Sequence, residues 1–197
     1  MKGVLISIQP YYVFLIIARS MGWNIPQEKT VEVRKDFPKA RDWNKVVHIY
    51  CSKNRKSFNR IPKQYRPFMD KLLGKVIGEF VCDKIGQIKF DDDGDVLYEP
   101  CLVGGNPCLT LGQLQSYIGV NNIGYGWHIS NLKIYDKPKE LKEFYHPCNR
   151  KSNCFTCKRA ELKSGYCGHI HIRIFDGCAN ELNYPPQSWF YVEGLAA

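Results

Sequence analysis

The apolar residues of this chain fall in short, strand-length runs, and no rhythm of strand, long helix and strand links them. Val4–Ile8 (VLISI) reads as a buried strand. Pro10 stands where the first residue of a helix would, since its fixed φ and missing N–H suit that position, and Tyr11–Arg19 reads as a largely buried helix. Val46–Cys51 is an apolar strand, and Ser52–Arg60 is a polar, basic loop. Pro67–Leu73 reads as a short helix, and Lys75–Asp83 (KVIGEFVCD) as an alternating strand. Gln87–Phe90 and Val96–Tyr98 flank the hairpin turn Asp91-Asp92-Asp93-Gly94-Asp95, which lacks the downstream Glu of a calcium loop. Leu111–Ile118 is a short helix, Trp127–Tyr135 a strand, Pro138–Phe144 a short helix and Pro185–Glu193 a proline-led strand. Many short strands with few short helices predict an α+β fold around a small β-barrel with flanking helices.

A chain of 197 residues that is 44% apolar and 13% aromatic can bury one sizeable core and a small appendage. It has no internal repeat and no low-complexity tract. The apolar run that reaches Ala18 is broken by Gln9-Pro10, ends in a poor cleavage site and is too short to span a bilayer. The expectation is a cytoplasmic protein without a membrane partner.

Functional chemistry concentrates in Lys29-Thr30-Val31-Glu32-Val33-Arg34. Strand alternation puts Thr30, Glu32 and Arg34 on one face and turns Val31 and Val33 into a core. With Lys29 at its mouth, that face makes a compact pocket of both charges. Such a pocket can hold a ligand with donors and acceptors, such as a nucleobase edge or a phosphate. The plainer alternative is an exposed strand face whose charges are merely solvated.

The surrounding segment is strongly basic. Lys29 to Lys75 holds 14 Lys and Arg against 4 Asp and Glu, a local net of +10, while the whole chain carries +9. The positive charge is therefore confined to this segment. Trp43, Tyr50, Asn54, Phe58, Asn59, Gln64, Tyr65 and Phe68 interleave it with stacking and amide groups. This is the composition that nucleic acid attracts. A basic face that is only solvated, or that meets an acidic protein, has the same composition.

Nine cysteines include Cys148, Cys154, Cys157 and Cys167, in a segment rich in Lys, Arg, Asn and Gly. The Cys154-x-x-Cys157 spacing lets both thiolates reach one metal, and two further cysteines complete a tetrahedral structural zinc site. His146, His169, His171 and Cys178 compete for the fourth position. Free thiols in a reducing compartment are one alternative and paired disulfides another, although the odd count and the lack of an export signal argue against disulfides. Cys51, Cys82, Cys101 and Cys108 read as buried or incidental. The expected division is a barrel domain over 1–145, a Cys-rich insertion over 146–180 and a strand returning to the barrel over 181–197.

Taken in order, Leu5–Pro10 (LISIQP), Glu28–Lys35 (EKTVEVRK), Ile49–Lys53 (IYCSK), Lys75–Lys84 (KVIGEFVCDK), Tyr125–Leu141 (with YGWHIS and IYDKPKEL) and the final PPQSW and YVE resemble ASCH-domain proteins. These belong to the PUA-like superfamily, and the resemblance points to a subgroup from phages and prophages of Gram-positive bacteria. It implies a PUA-like barrel with a cleft beside the Lys-x-x-Glu-x-Arg strand, and binding of RNA or nucleotide-like ligands. In that cleft Lys29, Glu32 and Arg34 would form the pocket. Lys35, Lys53, Arg55 and Lys56 would supply an electrostatic track, and Trp127 could offer a stacking face, with a place in the core as the plainer alternative. One branch of the family resembles an amidohydrolase of acetylated cytidine nucleosides. Lys29 matches its lysine, but Glu32 stands where its nucleophilic threonine would, with Thr30 one strand step away. Some relatives resemble ribonucleases, for which Lys29, Glu32 and His128 could supply acid–base groups. The readings that stay open are a nucleic-acid or modified-nucleotide binder, a hydrolase of a modified nucleoside or RNA, and a phage protein that binds an acidic host protein.

Overall fold

The computed structural model describes residues 2–39, 45–99, 102, 104–146 and 182–194. The elements run β1 (Lys2–Ile8), α1 (Pro10–Ile17), β2 (Val31–Arg34), β3 (Val46–Cys51), α2 (Arg55–Phe58), α3 (Arg66–Asp70), β4 (Val76–Val81), β5 (Ile85–Phe90), β6 (Val96–Tyr98), α4 (Leu111–Ile118), β7 (Gly124–His128), β8 (Ser130–Lys139), β9 (Phe144–Tyr145) and β10 (Trp189–Gly194). The fold is mixed α+β. One sheet has the order β8-β4-β3-β1-β10-β9, and the other has the order β2-β7-β5-β6.

Both sheets contribute to one main core. Val4, Ile6 and Ile8 of β1, Val47 and Ile49 of β3, and Ile77 and Phe80 of β4 pack with the inner residues of α1 and with Trp127 of β7. Helix α1 is apolar nearly all round, as expected of a buried helix, and Pro10 occupies its first turn as its fixed φ favours. The reverse face of the first sheet packs Leu5, Tyr50, Val76, Phe144, Leu182 and Val192. The outer face of the second packs Val31, Val33, Ile88 and Leu102 beneath Leu114 and Ile118 of α4.

Several sequence expectations need correction. Ser52–Arg60 is not only a loop. Asn54 caps a helical turn by accepting a bond from the Ser57 amide at 3.0 Å, and α2 follows. The helix expected over Pro67–Leu73 is shorter and begins one residue earlier, at Arg66. Trp127–Tyr135 is two strands rather than one: β7 pairs in the second sheet and β8 in the first. Asn131 takes a positive φ of 46° just after the change of sheet, a conformation Asn tolerates better than most residues. The helix expected over Pro138–Phe144 is instead the end of β8 followed by a single 3-10 turn at Leu141–Glu143. A proline does not interrupt β8, which is the edge strand of its sheet and needs no N–H there. Cys148, Cys154, Cys157 and Cys167, with their competitors His169, His171 and Cys178, lie outside the described residues, as does Trp43.

Candidate functional site

Strand β2 is buried along its whole length, and its two faces differ in kind. Val31 and Val33 enter an apolar cluster, as alternation requires. Glu32 and Arg34 take the other face and join Lys29, which immediately precedes the strand. The Lys29 backbone N–H donates to the Leu15 carbonyl of α1 at 3.2 Å. The three charged residues are only 3%, 7% and 5% exposed for Lys29, Glu32 and Arg34 respectively. They are therefore neither at a solvated mouth nor on an exposed face.

Glu32 is the bridge. Its Oε1 lies 2.9 Å from Arg34 Nη2, and its Oε2 lies 3.4 Å from Lys29 Nζ. Lys29 Nζ also donates to the Pro107 carbonyl at 2.6 Å and sits 5.2 Å from the Tyr12 ring centroid. Arg34 donates through Nη2 to the Ser7 carbonyl at 2.7 Å and through Nη1 to the Ser188 carbonyl at 3.1 Å. Its Nε is buried and has no hydrogen-bond partner. Burial pushes the Lys29 ammonium below the usual lysine range, while Glu32 beside it pulls the other way. Two cations and one anion leave a formal net charge of +1 in a nearly dry wall. Such a group is costly to bury and rarely favours stability over apolar packing.

The wall faces a cavity of about 800 Å³, within the range of small-molecule sites. Ser7, Gln9 and Tyr12 line it from β1 and α1, with Ser52 and Gln187 at its margins. Helix α4 also borders it. Thr110 and Gln113 form a reciprocal capping box there, with the Gln113 amide donating to Thr110 Oγ1 at 3.3 Å and the Thr110 amide donating to Gln113 Oε1 at 2.9 Å. Leu114 and Ile118, one helical turn apart, anchor α4 on the apolar cluster. Gly112, Gln113, Ser116 and Tyr117 line the cavity.

The basic residues expected to flank the cleft are exposed, and none of Lys35, Lys53, Arg55 and Lys56 lines the cavity. Lys35 Nζ sits 5.5 Å from the Tyr117 ring centroid. Arg55 Nη1 pairs with Asp70 Oδ1 at 2.7 Å, and the Lys53 stem lies against Gly74. Trp127 is fully buried in the main core and offers no stacking face. His128 does not join Lys29 and Glu32. In the β2–β7 register His128 opposes Val31, whereas Trp127 opposes Glu32, so alternation sends His128 to the other face. Its Nδ1 pairs instead with Asp83 Oδ1 at 2.7 Å. Thr30 Oγ1 accepts from the Asn106 amide at 2.8 Å, and Thr30 does not line the cavity. Cys51 and Cys82 are buried, and burial pushes both thiols up to about 12. No group of three or more His, Cys, Asp or Glu among the described residues is placed to hold a metal ion.

Tyr12, Gln113, Ser116 and Tyr117 are lining residues that the sequence reading passed over. The signal for the α4 group was present. Thr110-x-x-Gln113 is a capping-box pattern, and the Leu114/Ile118 spacing fixes which side of the helix faces the core.

No protein-family model and no curated protein matches this chain. Among solved structures, the chain is similar to the crystal structure of ASCH from Zymomonas mobilis. The identity is 15% and the TM-score 0.49, over 97% of this chain and 87% of that one. A point variant of that protein aligns over 98% of this chain and 91% of its own, at 15% identity and a TM-score of 0.49. No helix among the described residues is long and apolar enough to cross a membrane.

Proposed function

We propose that this chain binds RNA or a nucleotide-like ligand in the cleft walled by Lys29, Glu32 and Arg34, with the basic segment around it supplying long-range attraction. One observation carries the reading: a buried ionic triad with a surplus positive charge lines an open cavity large enough for a nucleotide. A buried arginine with an unspent N–H suits a phosphate or base acceptor, and Glu32 holds its fork in place. Lys53, Arg55 and Lys56 are exposed and free of the cavity wall, as residues that track a phosphate backbone are.

The test is binding of single-stranded RNA across a salt series. The log–log slope is expected to shrink by about 0.7 for each phosphate contact removed, so Lys53, Arg55 and Lys56 replaced together by alanine lower it by about 2. Affinity insensitive to salt, or unchanged in that triple variant, overturns the electrostatic track. Arg34→Ala is expected to abolish binding, with a melting curve to confirm that the variant folds.

A second reading, hydrolysis of a modified nucleoside or RNA in the same cleft, is favoured by Lys29, an amine whose proton is loosened by burial although the Glu32 carboxylate 3.4 Å away opposes this. Acetylated cytidine and RNA oligonucleotides are the substrates to try. Turnover that Glu32→Gln removes, with binding kept, establishes it.

The proposal includes a structural zinc on Cys148, Cys154, Cys157 and Cys167. A closed four-thiolate shell leaves no place for substrate, so its role would be to order a polar segment. Elemental analysis of protein purified without a histidine tag is expected to give one zinc per chain, falling in Cys157→Ser. A zinc content near zero rejects the site.

A further inference from the structure

The α4 side of the cleft is built differently from the triad side. The helix has no acidic residue in its first turn, so the partial positive charge at its N-terminus is uncompensated. Its capping box satisfies the Gln113 amide, and the amide of Gly112, which borders the cavity, has no acceptor among the described residues. Around Gly112 the space is open: a Cβ placed there would meet nothing within 4 Å. A bare helix end is not a site, but this one shares its cavity with Arg34, whose Nε is buried and unpartnered. Gly112 at the helix start and Arg34 thus border one cavity, and an amide and a guanidinium both suit the same anion.

The far end of the helix supplies a different surface. Tyr117 lines the cavity, is 39% exposed and is near enough to Arg34 and Glu32 to feel both charges. Gln113 and Ser116 lie between the two ends, and the Gln113 side-chain amide N–H and the Ser116 hydroxyl have no hydrogen-bond partner among the described residues. Five residues separate Gly112 from Tyr117, about 7.5 Å at the helical rise. That is the span of one nucleotide from phosphate to base.

Resting on the nucleotide-binding reading above, we infer that α4 is the specificity wall of the cleft and that its ligand is a single nucleoside 5′-monophosphate unit. The phosphate sits between the Gly112 amide and the Arg34 guanidinium. Gln113 and Ser116 face the sugar, and the base stacks on Tyr117. The unit is either a free nucleotide or the 5′ end of an RNA.

Calorimetry with the four ribonucleoside 5′-monophosphates, the four nucleosides and a short RNA tests this. At least one monophosphate is expected to bind about tenfold or more tightly than its nucleoside. Gly112→Asp adds a negative charge at the phosphate seat while favouring the helix start, so it folds and is expected to erase that difference without weakening the nucleoside. Tyr117→Ala is expected to weaken nucleotide and nucleoside alike by about tenfold or more, with Tyr117→Phe close to wild type. A preference for a 5′-phosphorylated over a 5′-hydroxyl trinucleotide, exceeding that for any free nucleotide, assigns the ligand to an RNA end. The reverse assigns it to a free nucleotide, and either supports the inference. Three results overturn it. RNA bound with no monophosphate bound removes the inference and leaves the cleft reading standing. So does a monophosphate whose binding Arg34→Ala abolishes but Gly112→Asp and Tyr117→Ala leave intact. A protein that binds neither RNA nor any nucleotide loses both.

Discussion

His48 shows how a few hydrogen atoms fix the state of a side chain. The Tyr135 hydroxyl donates its one hydrogen to Glu79 Oε2 at 2.7 Å, so His48 Nδ1, 3.0 Å from the same hydroxyl, must itself carry a proton and donate. Its Nε2 is then bare, and it is buried with no partner. Protonating it would bury an unmatched N–H and a charge. Burial first, with Lys139 adding to it and Glu79 opposing, lowers the His48 pKa to about 4. The unfolded chain therefore takes up a proton that the folded one refuses between about 4 and 6.5. The stability due to a neutral His48 is complete above the unfolded value and is lost as pH falls, by up to about 3 kcal/mol. Urea melts at pH 4.5 and 7.5 check this, and His48→Gln is expected to flatten that part of the difference. In the triad, Glu32→Ala strands two buried cations and is expected to cost about 3–5 kcal/mol, measured the same way. Glu32→Gln keeps the shape and costs less. At this scale the residue types were legible: Lys29, Glu32 and Arg34 do meet on one side of β2. Their depth was not, because burial depends on α1, Pro107 and Ser188, which are remote in sequence.

The elements were read best where period and punctuation agreed. Val46–Cys51, Val96–Tyr98 and Leu111–Ile118 stand where the sequence placed them. The reading failed at Trp127–Tyr135, since one apolar alternation runs through two strands that belong to different sheets, and nothing local marks the change except an asparagine at positive φ. It failed again at Pro138, where an edge position in the sheet, invisible in sequence, decides between helix and strand. His128 followed the same logic: its face was set by a register that only the β2–β7 pairing reveals. Gly78 offers a test at this scale. It lies in β4 where a shift in register brings the β8 backbone close, and a Cβ there would collide with the Lys133 carbonyl. Backbone cannot yield as a side-chain tip can. Gly78→Ala is expected to cost about 1–3 kcal/mol in a denaturant melt, with cleft affinity unchanged once folded.

Across the whole molecule, Arg34 is the tie between the two sheets. It belongs to β2 in one and donates to Ser7 of β1 and to Ser188, just before β10, in the other. β10 in turn lies against β1, with Leu5 opposite Phe190 and Lys2 opposite Glu193. One wall of the cleft is thus assembled from segments more than 150 positions apart in the chain. On the ribosome, residues 29–34 emerge long before residue 188 is made, and the tunnel withholds the last stretch further still. A growing chain therefore displays its charged strand without the Ser188 carbonyl to which Arg34 donates. That wall of the cleft is complete only after synthesis has passed Ser188, so the order of manufacture itself delays the cleft until the fold is whole.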